Sequence, residues 1–165
     1  MDLTPQPAPP AGELKLVVFK LLAEEFAASI HQVREVIRLP GLTRMPRTPA
    51  YVVGLMNLRG KVFPVIDLKR RFRMEARASD GRTRVMVVEV GEQAMGLVVD
   101  DVVEVLRTSR DHFEPPPAMI AENTGLYLKG VVKLGERLLL LLDLNRLFSA
   151  EELAEIARAG AEGKP

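Results

Sequence analysis

One stretch decides the fold: Asn57-Leu58-Arg59-Gly60-Lys61-Val62-Phe63-Pro64-Val65-Ile66-Asp67-Leu68, in which a charged turn with a glycine lies between two apolar runs. Both runs have the composition of β-strands. Gly60 permits the positive φ that a tight reversal needs, so the stretch predicts a β-hairpin with Arg59 near its tip. Pro64 has no N–H to donate and therefore predicts that the second strand is an edge strand or carries a bulge. A fixed arginine on a rigid edge suits protein recognition.

Short apolar runs separated by turn residues recur along the rest of the chain, which predicts a mainly β protein with many short strands. Residues 1–13 are rich in proline and alanine, and we expect a disordered arm there. We expect the core at residues 14–149. Residues 150–165 should form a C-terminal helix and tail.

The core repeats itself. Residues 26–38 align without gaps on residues 95–107, so that Glu35 matches Glu104, and residues 54–72 align on residues 130–148, so that Asp67 matches Asp143. One β-unit used twice predicts two small barrels, at approximately residues 14–72 and 84–148, that bury apolar surface against each other. The sequence leaves open which strands the two barrels exchange.

The composition narrows the classes of partner. The chain has 165 residues, enough for one domain or two small ones, and its 47% hydrophobic content fits a packed globule. A net charge of +1 provides no long-range field for nucleic acid or anionic lipid. The absence of cysteine excludes disulfides and thiolate chemistry. We expect neither a signal peptide nor membrane insertion, because no apolar run approaches the roughly 18 residues that a bilayer requires.

Local patterns predict helix starts. Asp67 and Asp143 each precede a short charged segment and are predicted N-caps. Ser149 and Glu152 have the spacing of a capping box, which predicts a helix over residues 150–159 that docks on a barrel. Gly160 should end this helix.

Catalytic and metal-binding patterns are missing from the sequence. His31 and His112 belong to no nucleophilic or metal-ligand spacing. Asp100 and Asp101 are neighbours in a predicted strand, so they point to opposite faces, and we expect solvation at a strand end rather than a magnesium pair. We therefore predict a binding protein that is not an enzyme and holds no cofactor or metal.

The hairpin motif Asn57-Leu58-Arg59-Gly60 resembles that of the CheW family, the coupling proteins of bacterial chemotaxis. The likeness continues through residues 26–38, Gly96-Leu97-Val98-Val99-Asp100, Tyr127-Leu128-Lys129-Gly130 and residues 139–144, in the family's order, and covers residues 14–155. It implies two tandem five-stranded SH3-like barrels packed together, with short helical turns. It also implies a cytoplasmic adaptor, recruited to membrane-associated receptor arrays, that binds a chemoreceptor tip and the regulatory domain of a CheA-type histidine kinase.

The resemblance implies two sets of contact residues. The receptor set comes from the matched segments of both halves and should meet at the groove between the barrels; it comprises Val33, Glu35, Val36, Val98, Val99 and Val102. The kinase set lies on the first hairpin; it comprises Gly54, Asn57, Arg59, Gly60, Val62 and Val65. Opposite charges suggest that Glu35 pairs with Arg59 and orients its guanidinium.

Alternatives remain open at this point. The valines fit the core of the protein equally well, and Arg59 fits a solvated turn. A scaffold paralogue that binds a receptor but not the kinase is the alternative function. A small-molecule or nucleic-acid binder is a further alternative, for which Lys69-Arg70-Arg71 with Arg73 would supply the basic cluster. Arg47 departs from the usual polar uncharged residue of the family and leaves the identity of the partner open.

Overall fold

A computed structural model describes residues 1–3, 11–75, 78–116 and 127–162. In these residues the chain forms eleven strands and two α-helices. The strands are β1 Glu13–Leu21, β2 Glu24–Ser29, β3 Val33–Arg38, β4 Val52–Leu58, β5 Lys61–Asp67, β6 Arg84–Val90, β7 Gln93–Val99, β8 Asp101–Ser109, β9 Phe113–Glu114, β10 Leu128–Leu134 and β11 Arg137–Leu142. The helices are α1 Leu68–Arg71 and α2 Ala150–Glu162. The mainly β prediction is confirmed.

The strands form two mixed sheets. The five-stranded sheet has the order β3-β6-β7-β5-β4, and the six-stranded sheet has the order β8-β1-β2-β11-β10-β9. Neighbouring strands are antiparallel except for β5 with β7 and β11 with β2, which are parallel. These two parallel contacts are related by the sequence repeat, because β5 corresponds to β11 and β7 to β2.

Each sheet takes strands from both halves of the chain. The five-stranded sheet combines β3, β4 and β5 with β6 and β7, and the six-stranded sheet combines β1 and β2 with β8 to β11. The contiguous division into residues 14–72 and 84–148 therefore matches neither sheet. The reason is that strand pairing is non-local, so sequence periodicity does not reveal it.

The buried apolar side chains of the described residues form three hydrophobic clusters. One small cluster, which includes Leu16 and Leu139, belongs to the six-stranded sheet. Another, which includes Met56 and Val85, belongs to the five-stranded sheet. The largest cluster contains residues of both sheets, such as Phe19 of β1 and Leu97 of β7, and so packs the sheets against each other. Strands such as β1 are buried on both faces for this reason.

The hairpin prediction is confirmed, but the prediction for Pro64 is wrong. Strand β5 lies between β4 and β7 and is not an edge strand, and the bulge of the hairpin falls on β4, between Val52 and Gly54. The parallel ladder to β7 covers only Val65, Ile66 and Asp67. Pro64 therefore precedes the part of β5 that is paired on both sides, where the missing N–H costs no ladder bond to β7.

The predicted caps are confirmed. The backbone N–H of Lys69 donates to Asp67 Oδ1 at 3.0 Å, and that of Asn145 donates to Asp143 Oδ1 at 3.1 Å. Ser149 and Glu152 exchange side-chain to backbone hydrogen bonds of 2.8 and 3.1 Å and start α2. These interactions are local, so the sequence spacing was sufficient to find them.

The prediction that Gly160 ends the helix is wrong, since α2 continues to Glu162. A Cβ at residue 160 would lie 3.3 Å from Cδ of Pro64. The glycine therefore allows the helix to approach β5 closely instead of ending it.

The disordered arm predicted for residues 1–13 is wrong at both ends. Residues 1–3 lie beside β3, with the N–H of Leu3 donating to the carbonyl of Arg34 at 2.8 Å. Glu13 already belongs to β1. Residues 4–10 lie outside the described residues.

Candidate protein-binding surface

The turn between β4 and β5 consists of Arg59 and Gly60, with φ values of 52° and 85°. Two positive φ values in a two-residue turn are typical of type I′, whose twist matches that of the flanking strands. The N–H of Gly60 donates to Oδ1 of Asn57 at 3.0 Å and braces the turn. The backbone therefore presents Arg59 at the tip of the hairpin, as the sequence predicts.

Arg59 forms a two-point ion pair with Glu35 of β3. Nη2 donates to Oε2 of Glu35, and Nη1 donates to Oε1 at 3.4 Å. The hydrogen bonding of the Arg59 guanidinium to the Glu35 carboxylate is the main reason that the pKa of Arg59 is raised above its usual value. The Arg59 side chain remains 70% exposed, whereas Glu35 is 16% exposed. Glu35 thus orients a guanidinium that still faces solvent.

This ion pair connects the two ends of the five-stranded sheet. Strand β3 is the first in the strand order and β4 the last. The contact between Glu35 and Arg59 therefore brings the outer strands together across the opening of the sheet. The same contact joins β3, which carries three of the six predicted receptor residues, to the hairpin that carries the predicted kinase residues.

A second arginine-carboxylate cluster occupies the related position in the six-stranded sheet. Glu104 is the repeat counterpart of Glu35 and accepts a hydrogen bond from Arg137 Nη2 at 2.9 Å. Arg137 also donates to both carboxylate oxygens of Glu25, at 2.9 and 2.7 Å. Two carboxylates hold Arg137, and its side chain is 32% exposed. Arg137 is the repeat counterpart of Lys61, and of the two paired arginines Arg59 is the more exposed, at 70%.

The valines of the predicted receptor set lie mostly inside the protein. Val33, Val36 and Val99 are in the large cluster between the sheets, and Val98 is in the cluster of the five-stranded sheet. Val33 is 2% exposed and Val99 is fully buried. For these four residues the structure agrees with the alternative reading as core valines. Val33, Val36 and Val99 fill space between the two sheets. Val102 is partly buried against the same core.

A bulge explains why Val33 and Val36 are both buried. Residues three apart in a regular strand point to opposite faces. The register of β3 against β6 shifts between Val33 and Glu35. The shift reverses the alternation, so that Val33 and Val36 both face the core. Nothing in the alternation of the sequence indicates this bulge.

The predicted kinase set divides into exposed and buried members. Asn57, Arg59 and Gly60 are exposed, Val62 is half-buried, and Gly54 and Val65 are buried. Gly54 has a packing role, because a Cβ there would lie 2.8 Å from the carbonyl oxygen of Thr43, which bridges to β4. The surface available on this set is therefore the tip of the hairpin.

Two cavities flank the tip. The larger, of about 550 Å³, lies between the beginnings of β5 and β7 and includes Phe63, Gln93 and Ala94 in its lining. The smaller, of about 140 Å³, is lined by Glu35 and Arg59 among others. Arg34, Lys61 and Phe63 line both. The contribution of Gln93 and Ala94 to this surface could not be predicted from the sequence, because the parallel pairing of β5 with β7 brings them to the hairpin. The one signal in the sequence that could have indicated these cavities is Phe63, a large apolar residue beside a charged turn.

The basic cluster Lys69-Arg70-Arg71 is engaged within the fold. Lys69 is buried and forms an ion pair with Asp100. Arg71 donates to Glu152 Oε1 at 2.9 Å, and its guanidinium lies 5.1 to 5.3 Å from the rings of Tyr51, Tyr127 and Phe148. Arg70 lies 3.8 Å from Asp67. Two of the three cations are thus unavailable to a nucleic acid. The expected solvation of Asp100 at a strand end is wrong, because its carboxylate binds Lys69 and the N–H of Leu22.

In the part of the chain that the structure describes, no group of three or more histidine, cysteine, aspartate or glutamate residues lies close enough to hold a metal ion. His31 and His112 lie in separate 3₁₀ turns. Among residues 1–3, 11–75, 78–116 and 127–162, no helix is long and apolar enough to cross a bilayer.

Known proteins are similar to this chain in sequence and in architecture. The profile of the CheW-like domain matches residues 15–152. The chain is similar to the chemotaxis protein CheW of Klebsiella aerogenes, with 36% identity over 147 residues that cover 87% of this chain and 89% of that protein. It is also similar to the chemotaxis protein CheW of Treponema pallidum, with 32% identity over 88% of each chain. The crystal structure of the scaffolding protein TtCheW from Thermoanaerobacter tengcongensis has a TM-score of 0.77 at 35% identity, covering 84% of this chain and 94% of that one.

Proposed function

This chain belongs to the CheW-like domain family, and on that premise we propose that it is a non-enzymatic chemotaxis adaptor that couples chemoreceptors to a CheA-type histidine kinase. One face, around β3 and Val102, would contact the membrane-distal receptor tip. The hairpin tip with Asn57, Arg59 and Gly60 would contact the regulatory domain of the kinase. The protein would act in the cytoplasm, at arrays of membrane-bound receptors.

The contact between Arg59 and Glu35 is the observation that best supports this proposal. Glu35 lies on the strand assigned to the receptor, and it holds the arginine assigned to the kinase. A partner that moves or desolvates Glu35 changes the orientation of the Arg59 guanidinium at the other surface. One ion pair thus provides a direct physical connection between two binding events.

The mechanism is thermodynamic linkage. An adaptor shifts a kinase toward activity only as far as it binds the active arrangement more tightly than the inactive one. Couplings between sites are typically about 1 to 3 kcal/mol, which a change at a few surface contacts can supply. Multivalent arrays then multiply the effect of each modest interface.

Co-sedimentation tests the proposal. Receptor cytoplasmic fragments on vesicles are mixed with the kinase regulatory domain, with and without this protein. We expect the kinase domain to sediment with the vesicles only when the protein is present. Sedimentation of the protein without the kinase domain would support the scaffold paralogue instead, and failure to bind either partner would refute the adaptor role.

A further inference from the structure

The open edge of β3 is covered by a segment of the same chain. Residues 1–3 run antiparallel to β3, with Asp2 opposite Glu35. The N–H of Leu3 donates to the carbonyl of Arg34 at 2.8 Å, and the N–H of Val36 donates to the carbonyl of Met1 at 2.8 Å. Because β3 is the end strand of the five-stranded sheet, these bonds satisfy backbone groups that would otherwise face solvent.

The side chains of this segment point to two different environments. Leu3 is 5% exposed and belongs to the large hydrophobic cluster together with Val36. Asp2, on the other face of the segment, lies near the Arg59-Glu35 pair. Asp2 is the bridge partner of Glu35, which holds Arg59, and the negative charge of Asp2 adds to that of Glu35 in raising the pKa of Arg59. The β3 edge thus offers three things to an extended segment: backbone donors and acceptors, an apolar slot beside Val36 that Leu3 fills, and the Arg59 guanidinium as a cation.

Nothing in this arrangement requires the occupant to come from residues 1–3. Residues 1–3 form a single bridge with β3, at Glu35, whereas β6 pairs with β3 from Val33 to Arg38. The segment therefore covers only part of the β3 edge. The ladder recognises main-chain atoms, so any extended segment can form it. The slot and the cation add selectivity for an aliphatic side chain that directly follows an acidic one.

We propose that the β3 edge is a strand-addition site for an extended segment of a partner protein, in which an acidic residue precedes an aliphatic residue. In the isolated chain, Met1-Asp2-Leu3 occupies this site and is displaced when the partner binds. This site overlaps both surfaces of the proposed adaptor function, because it shares β3, Glu35 and Arg59 with them. Its tests need neither a receptor nor a kinase.

Hydrogen exchange of the Val36 amide tests the occupancy. Leu3→Asp should expel the segment, since a carboxylate cannot remain in the apolar slot, and the Val36 amide should then exchange at least about tenfold faster. Leu3→Met should leave its exchange rate unchanged. Amides of the ladder between β6 and β7 should remain protected in both variants, which shows that the sheet is intact. An unchanged Val36 rate in Leu3→Asp would overturn the proposal. If Leu3→Asp does not fold, Leu3→Gly provides the same comparison.

A peptide experiment tests the exchange of occupant. The probe is a synthetic peptide with the sequence of residues 1–10, added to the ¹⁵N-labelled Leu3→Asp protein. We expect saturable shifts of the Arg34, Glu35 and Val36 amide signals. A control peptide with Leu3→Asp should cause none. Equal shifts with both peptides, shifts confined to other strands, or no shifts would each overturn the proposal. Receptor and kinase are absent from this assay, so its result is separate from that of the proposed adaptor function.

Discussion

The ammonium group of Lys69 in α1 forms an ion pair with the carboxylate of Asp100, at the corner between β7 and β8, in a nearly buried position. Their side chains are 6% and 10% exposed. Asp100 also accepts a 2.7 Å hydrogen bond from the N–H of Leu22, in the turn between β1 and β2. One carboxylate therefore ties the five-stranded sheet to the six-stranded sheet.

Loss of this pair should destabilise the whole protein. Lys69→Met leaves a buried carboxylate without its cation, and we expect the free energy of unfolding to fall by about 3 to 5 kcal/mol. Arg70→Met is the matched control on the neighbouring residue, whose exposed contact with Asp67 should contribute less than about 1 kcal/mol. Urea denaturation followed by circular dichroism measures both. Equal changes in the two variants would contradict the structural role of Asp100.

Arg59→Ala should separate binding from stability. The side chain is exposed, so its removal should leave the melting temperature nearly unchanged, while stimulation of the kinase in a reconstituted array is abolished. Lys133→Ala removes another exposed cation, paired with Glu114 on the six-stranded sheet, and should retain stimulation. A large loss of stability in Arg59→Ala would show that the arginine is structural.

Val33→Asp should impair the fold, although the family resemblance assigns Val33 to receptor binding. The side chain lies in the core, so a carboxylate there has no water and no cation, and we expect a loss of at least about 3 kcal/mol. Val103→Asp, at an exposed position of β8, should change the free energy of unfolding by no more than about 0.5 kcal/mol. Thermal unfolding distinguishes these outcomes. A stable Val33→Asp protein with selective loss of receptor binding would restore the receptor-contact interpretation.

The free energy of unfolding should fall at acid pH, in part because Glu25 becomes protonated. The hydrogen bond from Arg137 lowers the pKa of Glu25 below the 4.5 of a free glutamate. Folded Glu25 therefore binds fewer protons than unfolded Glu25, so its contribution is complete above the unfolded pKa and is lost as the pH falls through the folded one. Urea midpoints between about pH 6 and pH 3 should fall less steeply in Glu25→Gln than in wild type. Glu24→Gln, at the exposed neighbouring position, should keep the wild-type slope.

Interactions within a few residues could be predicted from the sequence. The Arg59-Gly60 turn, the Asp67 cap and the capping box of Ser149 depend on neighbours, and their residue types are sufficient to indicate them. The pairing of Glu35 with Arg59 connects distant residues, and it was predicted from their opposite charges and from the charged positions of the family.

Interactions between distant segments could not be predicted. The exchange of strands, the interior position of Pro64 and the pairing of residues 1–3 with β3 depend on which strands become neighbours. The burial of Val33 and Val36 depends on a bulge that alternation hides. Gly160 is also a matter of tertiary packing: glycine often ends a helix, but here it lies within α2, where the helix packs closely on Pro64.

Strand exchange between the two halves has an evolutionary consequence. Half of this chain, expressed alone, would carry β1 and β2 without the strands that complete their sheet, and β4 and β5 without theirs. Two copies of such a half could supply each other's missing strands as a symmetric dimer. Duplication with fusion of one such unit would place both copies, and with them the strands that complete each sheet, within one polypeptide.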